Sequence, residues 1–198
     1  MTEQPTSPAK RNCDGQPSLA PATGSASVLD ACCGSRMFWF DKADPRALFV
    51  DKRRETLIDH TGPKPASIVV NPDVLANFKE LPFPDCTFAL VVFDPPHTWC
   101  GPNGRTIKKY GSLPLDWRNE ISAGFRECFR VLCPLGTLVF KWNEHRVKLT
   151  TVLSLTDQKP LFGQRVGNTR THWIVYQKPN AGAEAPATDD VAQLKTLR

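Results

Sequence analysis

Five short apolar runs constrain the fold of this chain more than any other feature of its sequence. The runs occupy residues 27–31, 47–51, 66–70, 88–94 and 136–142, and turn-forming residues lie between them. Their apolar residues are consecutive and rich in β-branched types, a pattern typical of strands that are covered on both faces. The runs therefore predict an α/β domain built on a mainly parallel sheet flanked by helices.

Two further elements follow from the pattern of the remaining chain. Residues 116–132 have large apolar side chains at every fourth position, which predicts an amphipathic helix. These side chains are Trp117, Ile121, Phe125 and Phe129. Residues 161–167 and 171–178 flank a short polar segment, so we expect them to form a closing C-terminal antiparallel hairpin.

Composition divides the chain into one domain and two tails. Of the 198 residues, 40% are apolar, which is enough for one substantial core. Residues 1–26 and 179–198 are instead dominated by small and polar residues and proline, without periodicity. Such segments bury too little apolar surface to offset the entropy lost on ordering. We therefore predict disordered tails around a single domain at residues 27–178.

Hydropathy and charge narrow the possible partners. No apolar run approaches the about 20 residues that span a bilayer, and the N-terminal sequence lacks the apolar centre of a signal peptide. We therefore expect a cytoplasmic protein without membrane contact. The chain carries a net charge of +5, and setting aside a neutral first tail and a second tail of −1 leaves +6 on the domain. That excess is compatible with a phosphate-bearing partner.

The cysteine and histidine residues do not predict a metal site. The chain contains no CxxC pair. His97 and Cys100 are spaced like two metal ligands, but no second pair completes a ligand set. We therefore expect no bound metal.

Two acids stand at the predicted ends of neighbouring strands. Asp30 ends the first run, and Gly34 lets the backbone approach a ligand closely before a short helix that we predict near Ser35. Asp51 ends the second run about 20 residues later, where a carboxylate holds a ribose diol in dinucleotide folds. Ligands bind beyond the carboxyl ends of strands in open α/β sheets, so the two acids together favour a nucleoside ligand. The first turn has neither GxGxxG nor GKS/T, which argues against a dinucleotide or a nucleoside triphosphate.

The sequence VVFDPPH ends the fourth run and places Asp94, Pro95, Pro96 and His97 beyond it. The two prolines fix φ and have no N–H to donate, so they hold the chain rigidly as it leaves the sheet. Backbone carbonyl groups at this exit are then left unpaired and available to a ligand. A rigid turn without a ligand is the structural alternative.

The longest polar insert, residues 99–117, leaves directly from this strand end. It contains the basic and aromatic residues Arg105, Lys108, Lys109 and Tyr110, with glycines and a proline around them. This mixture suits a mobile lid that contacts phosphate groups. A solvated basic loop explains the same residues, so both interpretations stay open.

Two aromatic clusters lie elsewhere in the domain. Phe38, Trp39 and Phe40 follow the glycine loop, and we expect them to pack on the sheet. His172 and Trp173 begin the last predicted strand, and we interpret them as a buried aromatic edge rather than as part of a site.

With these motifs the chain resembles the class I S-adenosylmethionine-dependent methyltransferases over about residues 27–178. VLDACCGS is similar to the first glycine loop of that family, FVDKR to its second-strand acid, and LPFPDCTFALVVFD to the approach to its fourth strand. VVFDPPH resembles the D/N-PP-Y/F/W/H motif of amino-methyltransferases that act on adenine or cytosine nitrogens in nucleic acid, or on related planar amides. The DPPH, KYG and THW segments look most like small phage- and prophage-borne methyltransferases.

Two positions depart from the family pattern. The glycine loop has one glycine where the family has two or three, because Cys32 and Cys33 stand at positions that are often small. His97 replaces the commoner aromatic residue of the motif.

The resemblance implies a Rossmann-like fold and S-adenosylmethionine as cofactor. The implied cofactor-binding residues are Asp30, Ala31, Cys32, Gly34 and Asp51. Methyl transfer would take place at Asp94, Pro95, Pro96 and His97. The Asp94 side chain and the Pro95 carbonyl would accept both hydrogens of an exocyclic amine, and His97 would stack on the base. Arg105, Lys108, Lys109 and Tyr110 would contact the substrate.

The resemblance favours adenine N6 in DNA as the acceptor. RNA, a protein glutamine amide or a small molecule are alternative acceptors, because the LPFPD approach also occurs in small-molecule methyltransferases. A protein that binds the cofactor and a partner without turnover is a further alternative, which the intact DPPH sequence disfavours. Neither the target sequence nor the oligomeric state follows from the chain.

Overall fold

A computed structural model of the chain describes residues 26–60, 63–99 and 105–180, with positions 105 and 106 described by their backbone alone. The two predicted tails lie almost wholly outside these ranges, so their disorder stays a prediction. The strands are β1 (Val28–Asp30), β2 (Ala47–Asp51), β3 (Glu55–Asp59), β4 (Ala66–Val70), β5 (Val74–Leu75), β6 (Phe88–Phe93), β7 (Leu132–Asn143), β8 (Phe162–Arg165) and β9 (Thr171–Gln177). The helices are α1 (Arg105–Tyr110), α2 (Trp117–Val131) and α3 (Leu149–Leu153).

Seven strands form the main sheet, in the order β5-β2-β1-β6-β7-β9-β8. The pairs from β5 to β7 are parallel, whereas β9 is antiparallel to both β7 and β8. This arrangement confirms the mainly parallel sheet and its C-terminal antiparallel hairpin. The order of its first five strands is that of a doubly wound nucleotide-binding sheet, in which the chain reverses direction beside β1.

The predicted amphipathic helix is confirmed as α2, which packs against the sheet. Its residues Trp117, Ile121 and Phe125 are buried in the main core. A Cβ at Gly124 would lie 2.5 Å from the Phe93 ring, so the absence of a side chain lets α2 approach β6 closely. Each fully buried side chain of this size contributes about 1.5–3 kcal/mol, which fixes the end of β6 firmly in place.

The run at residues 66–70 is a strand, but our prediction that it belongs to the parallel sheet was wrong. It is β4, which pairs antiparallel with β3 in a separate two-stranded sheet. Only Ile68 and Val70 of this strand are buried, while Val69 is 51% exposed. The run is thus covered on one face, and its consecutive apolar residues suggested a burial that the fold does not provide.

The short helix predicted near Ser35 was also wrong. The chain after β1 forms turns instead, and Gly34 and Arg36 have φ angles of 50° and 54°. Residues in this left-handed region cannot continue a right-handed helix. The segment that leaves β1 is therefore made of turns, in which Trp39 packs on Phe49 of β2.

The parallel strands bring their carboxyl ends to one edge of the sheet. Asp30 and Asp51 end β1 and β2, Asp94 directly follows β6, and Lys141 lies near the end of β7. Within the described ranges, none of the helices has the length and apolar character needed to cross a membrane.

Candidate active site

Asp30 is fully buried and both of its carboxylate oxygens accept hydrogen bonds. The Trp39 Nε1–H donates to Oδ2 at 2.8 Å, and the Cys32 N–H donates to Oδ1 at 3.3 Å. Burial raises the pKa of Asp30 to about 7, with smaller contributions from the charges of Asp94 and Asp51, while the two hydrogen bonds oppose the shift. This carboxyl group therefore titrates near neutral pH, far above its ordinary range.

Asp51 is buried as well, and its oxygens are engaged by two neighbouring segments. The Gly34 N–H donates to Oδ2 at 2.9 Å. The backbone N–H of Arg53 donates to Oδ1 at 2.9 Å, and its guanidinium forms an ion pair with the same oxygen at 3.3 Å. The second-strand acid therefore ties the glycine loop to the end of β2.

Ala31 and Cys32 occupy the turn that joins these two acids. The Ala31 N–H donates to the Val92 carbonyl of β6 at 3.0 Å, and its side chain is fully buried. The Cys32 side chain packs against the main core, and burial raises the pKa of its thiol well above the ordinary value. Their backbone, rather than a reactive side chain, is what these two residues bring to the site.

Helix α1, which contains Lys108, Lys109 and Tyr110, crosses the carboxyl edge above the glycine loop. The Arg53 guanidinium donates to the carbonyl oxygens of Lys108 and Lys109, each at 3.3 Å. A Cβ at Gly34 would lie only 2.8 Å from the Lys109 carbonyl oxygen, so the single loop glycine permits this close approach. Our two interpretations, a lid or a solvated loop, both located these residues in a loop, whereas they form a short helix.

The side chains of the basic segment point in different directions. Lys108 Nζ donates to the Ile58 carbonyl of β3 at 3.0 Å. Lys109 lines a cavity of about 500 Å³ that also borders Gly34 and Ser35. The Ser35 Oγ is buried and has no hydrogen-bond partner among the described residues. The side chain of Arg105 lies outside the described residues, so its predicted contact with substrate stays a prediction.

Asp94 is buried directly after β6, and its two oxygens differ in their surroundings. Oδ2 pairs with the Lys141 ammonium at 2.5 Å. Oδ1 is buried and has no hydrogen-bond partner among the described residues. Pro95 and Pro96 are buried behind it, and Gly111, which follows α1, lies close to the Pro96 ring. Of the two carboxylate oxygens at the end of β6, Oδ1 is therefore the one that is buried without a hydrogen-bond partner among the described residues.

His97 stands between two aromatic rings. Its ring centroid is 6.1 Å from that of Tyr110 and 6.1 Å from that of Trp142. Burial lowers the pKa of His97, and the charge of Lys141 lowers it further, while Asp94 opposes the shift. The ring is therefore neutral at physiological pH, and it is suited to contact a flat, uncharged group.

Lys141, which the sequence analysis missed, brings these groups together. Its Nζ lies 5.6 Å from the Phe38 ring centroid, 5.5 Å from that of Tyr110 and 5.7 Å from that of Trp173. A charged residue at the end of an otherwise apolar strand was the available signal, but its partner Asp94 is 47 positions away in the chain. We call Phe38, Tyr110 and Trp173 the aromatic cage.

The cage corrects two expectations about aromatic residues. Trp173 faces Lys141 and Phe38, with ring centroids of the two aromatics 5.5 Å apart, so it belongs to the site as well as to the sheet edge. Phe40, which we expected to pack on the sheet, is fully exposed. The turns after Gly34 direct Phe38 and Trp39 toward the sheet and leave Phe40 in solvent.

Within the described ranges, no group of three or more His, Cys, Asp or Glu residues is arranged to hold a metal ion.

No protein-family model matches the chain, and no curated protein matches it. Solved structures do. The PH0226 protein from Pyrococcus horikoshii OT3 is 18% identical, with 76% of this chain and 81% of that chain covered and a TM-score of 0.51. A SAM-dependent methyltransferase from Methanosarcina mazei is 15% identical, with 77% of this chain and 92% of that chain covered and a TM-score of 0.45. The Burkholderia thailandensis 1,6-didemethyltoxoflavin-N1-methyltransferase, with bound 1,6-didemethyltoxoflavin and S-adenosylhomocysteine, is 13% identical. The match covers 77% of this chain and 70% of that chain, with a TM-score of 0.44.

The strand order and the Pyrococcus structure agree on the architecture. The strand order gives the Rossmann-like, mainly parallel α/β sheet that the sequence predicted, with one antiparallel strand at its C-terminal side, and the Pyrococcus structure has a similar fold. The fold places the ends of β1, β2 and β6 side by side, which is where such sheets bind ligands.

Proposed function

We propose that this chain is an S-adenosylmethionine-dependent methyltransferase that acts on an exocyclic amine of a nucleic-acid base, with adenine N6 in DNA as the favoured acceptor. The observation that carries the proposal is Asp94, whose Oδ1 is buried without a partner among the described residues. Its strand pairs with the strand of Asp30. Buried polar atoms are almost always satisfied, so a free one at the ligand-binding edge of the sheet favours a bound substrate.

The residues that would hold the cofactor lie at the ends of β1 and β2: Asp30, Ala31, Cys32, Gly34 and Asp51. When bound, S-adenosylmethionine supplies an electrophilic methyl group. An open pocket of about 500 Å³ adjoins Gly34 and is otherwise lined by residues such as Asp59, Asn71 and Asp73, so Gly34 is the one proposed cofactor residue that borders it. Asp51 would receive ribose hydroxyls in exchange for Arg53, whose guanidinium keeps Glu55 as a second acid partner.

Asp94 and Pro95 would orient the acceptor amine. In this proposal Asp94 Oδ1 would accept one hydrogen of the amine, and the Pro95 carbonyl, which also hydrogen-bonds the His97 ring, would accept the other, so that the nitrogen lone pair would face the methyl group. Positive charge would develop on nitrogen as the new carbon–nitrogen bond forms and the carbon–sulfur bond of the cofactor breaks, and the neighbouring carboxylate would stabilise that charge until the amine releases a proton. The neutral ring of His97 would stack on the base without opposing that charge.

The choice of a nucleic acid depends on charge and on the basic segment. The domain carries an excess of six positive charges, which favours a polyanion. Lys108 and Tyr110 already have partners inside the protein, so Lys109 and Arg105 are the proposed phosphate contacts. The resemblance of DPPH to small phage-type amino-methyltransferases supports the same acceptor.

Transfer of tritium from labelled S-adenosylmethionine tests this proposal. Duplex DNA, single-stranded DNA, tRNA and a metabolite extract are incubated with the native protein, with Asp94→Ala and with Asp157→Ala, an exposed acid between α3 and β8 as matched control. We expect labelled DNA from the native protein and from Asp157→Ala. Asp94→Ala should lose about 100-fold or more in turnover and keep its affinity for S-adenosylhomocysteine within a few fold.

The possible failures of this experiment are distinguishable. Full activity in Asp94→Ala would remove this residue from the chemistry. Label that enters only tRNA or metabolites would retain a methyltransferase and discard DNA. Tight binding of S-adenosylhomocysteine without transfer to any substrate would favour the non-catalytic alternative, and no binding at all would overturn the proposal.

A further inference from the structure

The Asp94 carboxylate does not face the acceptor position alone, because the Lys141 ammonium shares it. We infer that Lys141 is a specificity-determining residue, which donates a hydrogen bond to a ring nitrogen beside the amine whose hydrogen Asp94 Oδ1 accepts. This inference rests on the proposed function and deepens it. It restricts the acceptor to planar heterocycles that present an amine next to a hydrogen-bond-accepting ring nitrogen.

Lys141 has more hydrogen-bond donors than the described residues use. An ammonium group has three N–H donors and no acceptor. Among the described residues, only Asp94 Oδ2 accepts a hydrogen bond from Lys141. The side chain is 17% exposed, so it is neither sealed in the core nor free in solvent. Donors of Lys141 are therefore available at the point where a ligand must approach Asp94.

Aromatic rings hold the ammonium in place. The aromatic cage surrounds Lys141 Nζ at 5.5–5.7 Å, within the about 6 Å over which a ring attracts a cation. Rings do not use up N–H donors as carbonyl or carboxylate oxygens do. The cage thus fixes the position of the charge and leaves donors for a ligand.

Asp94 and Lys141 place an acceptor and donors of hydrogen bonds next to each other. In the part of the chain that the structure describes, Asp94 Oδ1 has no donor, and Lys141 donates to the other oxygen of the same carboxylate and to no further group. A ligand that satisfies both presents an N–H beside an acceptor atom on one rigid edge. The edges of adenine and cytosine have this pattern, since the exocyclic amine adjoins a ring nitrogen. The flat rings of the cage and of His97 suit the same planar group.

The same charges disfavour another class of amine. An aliphatic amine is a cation near neutral pH and has no acceptor atom beside its nitrogen. It would meet the Lys141 ammonium across a short distance, and like charges at a recognition site are strongly disfavoured. Lys141 would therefore exclude such amines, although Asp94 alone would attract them.

A double-mutant cycle between protein and base tests the inference. The native protein, Lys141→Met and the matched control Lys159→Met, an exposed lysine before β8, are assayed on oligonucleotides with adenine, 1-deazaadenine or 7-deazaadenine at the target position. Each analogue replaces one ring nitrogen next to the amine by C–H. The readout is kcat/KM for methyl transfer, with S-adenosylhomocysteine affinity measured in parallel.

We expect one of the two analogues to lower kcat/KM of the native protein and of Lys159→Met by about 10- to 100-fold, as for loss of a hydrogen bond to a charged donor. Lys141→Met should lose a similar factor on adenine. It should show no further loss on that analogue, because the interaction is then already absent. A lysine that merely pairs with Asp94 would instead produce the same loss on all three bases.

Two results would overturn the inference and leave the proposed function standing. One is equal transfer by the native protein to adenine and to both analogues. The other is an analogue effect that persists in full in Lys141→Met. If Lys141→Met fails to fold, Lys141→Arg replaces it. This variant keeps the charge and should still discriminate between the bases, and a loss of that discrimination would count equally against the inference. Failure of the native protein to bind S-adenosylhomocysteine would overturn the proposed function itself, and the inference with it.

Discussion

The acids along the carboxyl edge of the sheet fall into two groups according to how their oxygens are satisfied. Asp30 and Asp51, on β1 and β2, have both oxygens engaged by donors of this chain. Asp94, on the adjacent β6, has one oxygen paired with Lys141 and one buried oxygen without a partner among the described residues. A buried acceptor without a partner costs about 1–3 kcal/mol, and among the described residues this kind of cost falls on Asp94 and not on Asp30 or Asp51.

This difference indicates what a ligand has to do at each position. At Asp51 a ribose must replace donors that are already bonded, which exchanges one hydrogen bond for another and yields little net free energy. At Asp94 Oδ1 an amine adds a hydrogen bond where the described residues supply none. The cofactor end of the site should therefore respond weakly to single substitutions in binding assays, whereas the acceptor end should respond strongly in assays of chemistry.

The largest expected effect concerns the cost of keeping Asp30 buried. Because its pKa is raised from an ordinary 3.8 to about 7, the folded protein holds a proton that the unfolded chain releases. This contribution to stability is fully present below about pH 4 and is lost as pH rises through 7. Asn does not titrate, so between pH 4 and pH 8 the free energy of unfolding of the native protein should fall by up to about 4 kcal/mol relative to that of Asp30→Asn.

Denaturant unfolding of both proteins at several pH values measures this effect. The relevant quantity is how the difference in unfolding free energy between the native protein and Asp30→Asn changes with pH. The asparagine also alters the hydrogen bond from Cys32, but that contribution does not depend on pH. Asp157→Asn, at an exposed position, should show a flat difference. A flat difference for Asp30→Asn would mean that the Asp30 carboxyl group titrates normally in spite of its burial.

The second effect concerns the contact between the glycine loop and α1. Gly34→Ala should destabilise the protein by about 2–3 kcal/mol, because a left-handed φ of 50° costs about 1–2 kcal/mol for a residue with a Cβ and the new atom would meet the Lys109 carbonyl at 2.8 Å. Gly167→Ala is the matched control, with a φ of 48° and nothing within 4 Å of its Cβ. It should show the conformational cost alone, measured as the free energy of unfolding. Equal losses in the two variants would show that α1 does not press on the loop.

Local sequence patterns predicted the elements whose burial shows in the order of their own residues. The strands β1, β2, β6 and β7 and the helix α2 were found because buried strands and amphipathic helices leave periodic signals in their own residues. The run of β4 has the same composition as the others. Its pairing with β3 depends on a neighbour whose residues alternate, and composition alone does not reveal which face of a run is covered.

The candidate site was predicted in part for a similar physical reason. Acids at strand ends are visible in the sequence because each follows an apolar run, and this pattern identified Asp30, Asp51 and Asp94. Lys141 lies inside such a run, so it appeared as part of the strand, and its pairing with Asp94 arises only when β6 and β7 lie side by side. The cage is likewise assembled from three distant segments of the chain.

The smallest expected effect is on cofactor affinity at Asp51. Asp51→Ala should weaken binding of S-adenosylhomocysteine by about 0.5–1.5 kcal/mol in calorimetry, because the ribose loses an acceptor that it had gained only by exchange. Arg53→Met, which removes the competing guanidinium and keeps the acid, should bind the same ligand more tightly than the native protein. Unchanged affinity in Asp51→Ala would remove this acid from the ribose site. A loss of binding free energy above about 3 kcal/mol would instead contradict the idea that ribose hydroxyl groups replace donors of the protein. Asp51 already accepts hydrogen bonds from Gly34 and Arg53, so such a replacement yields little net free energy.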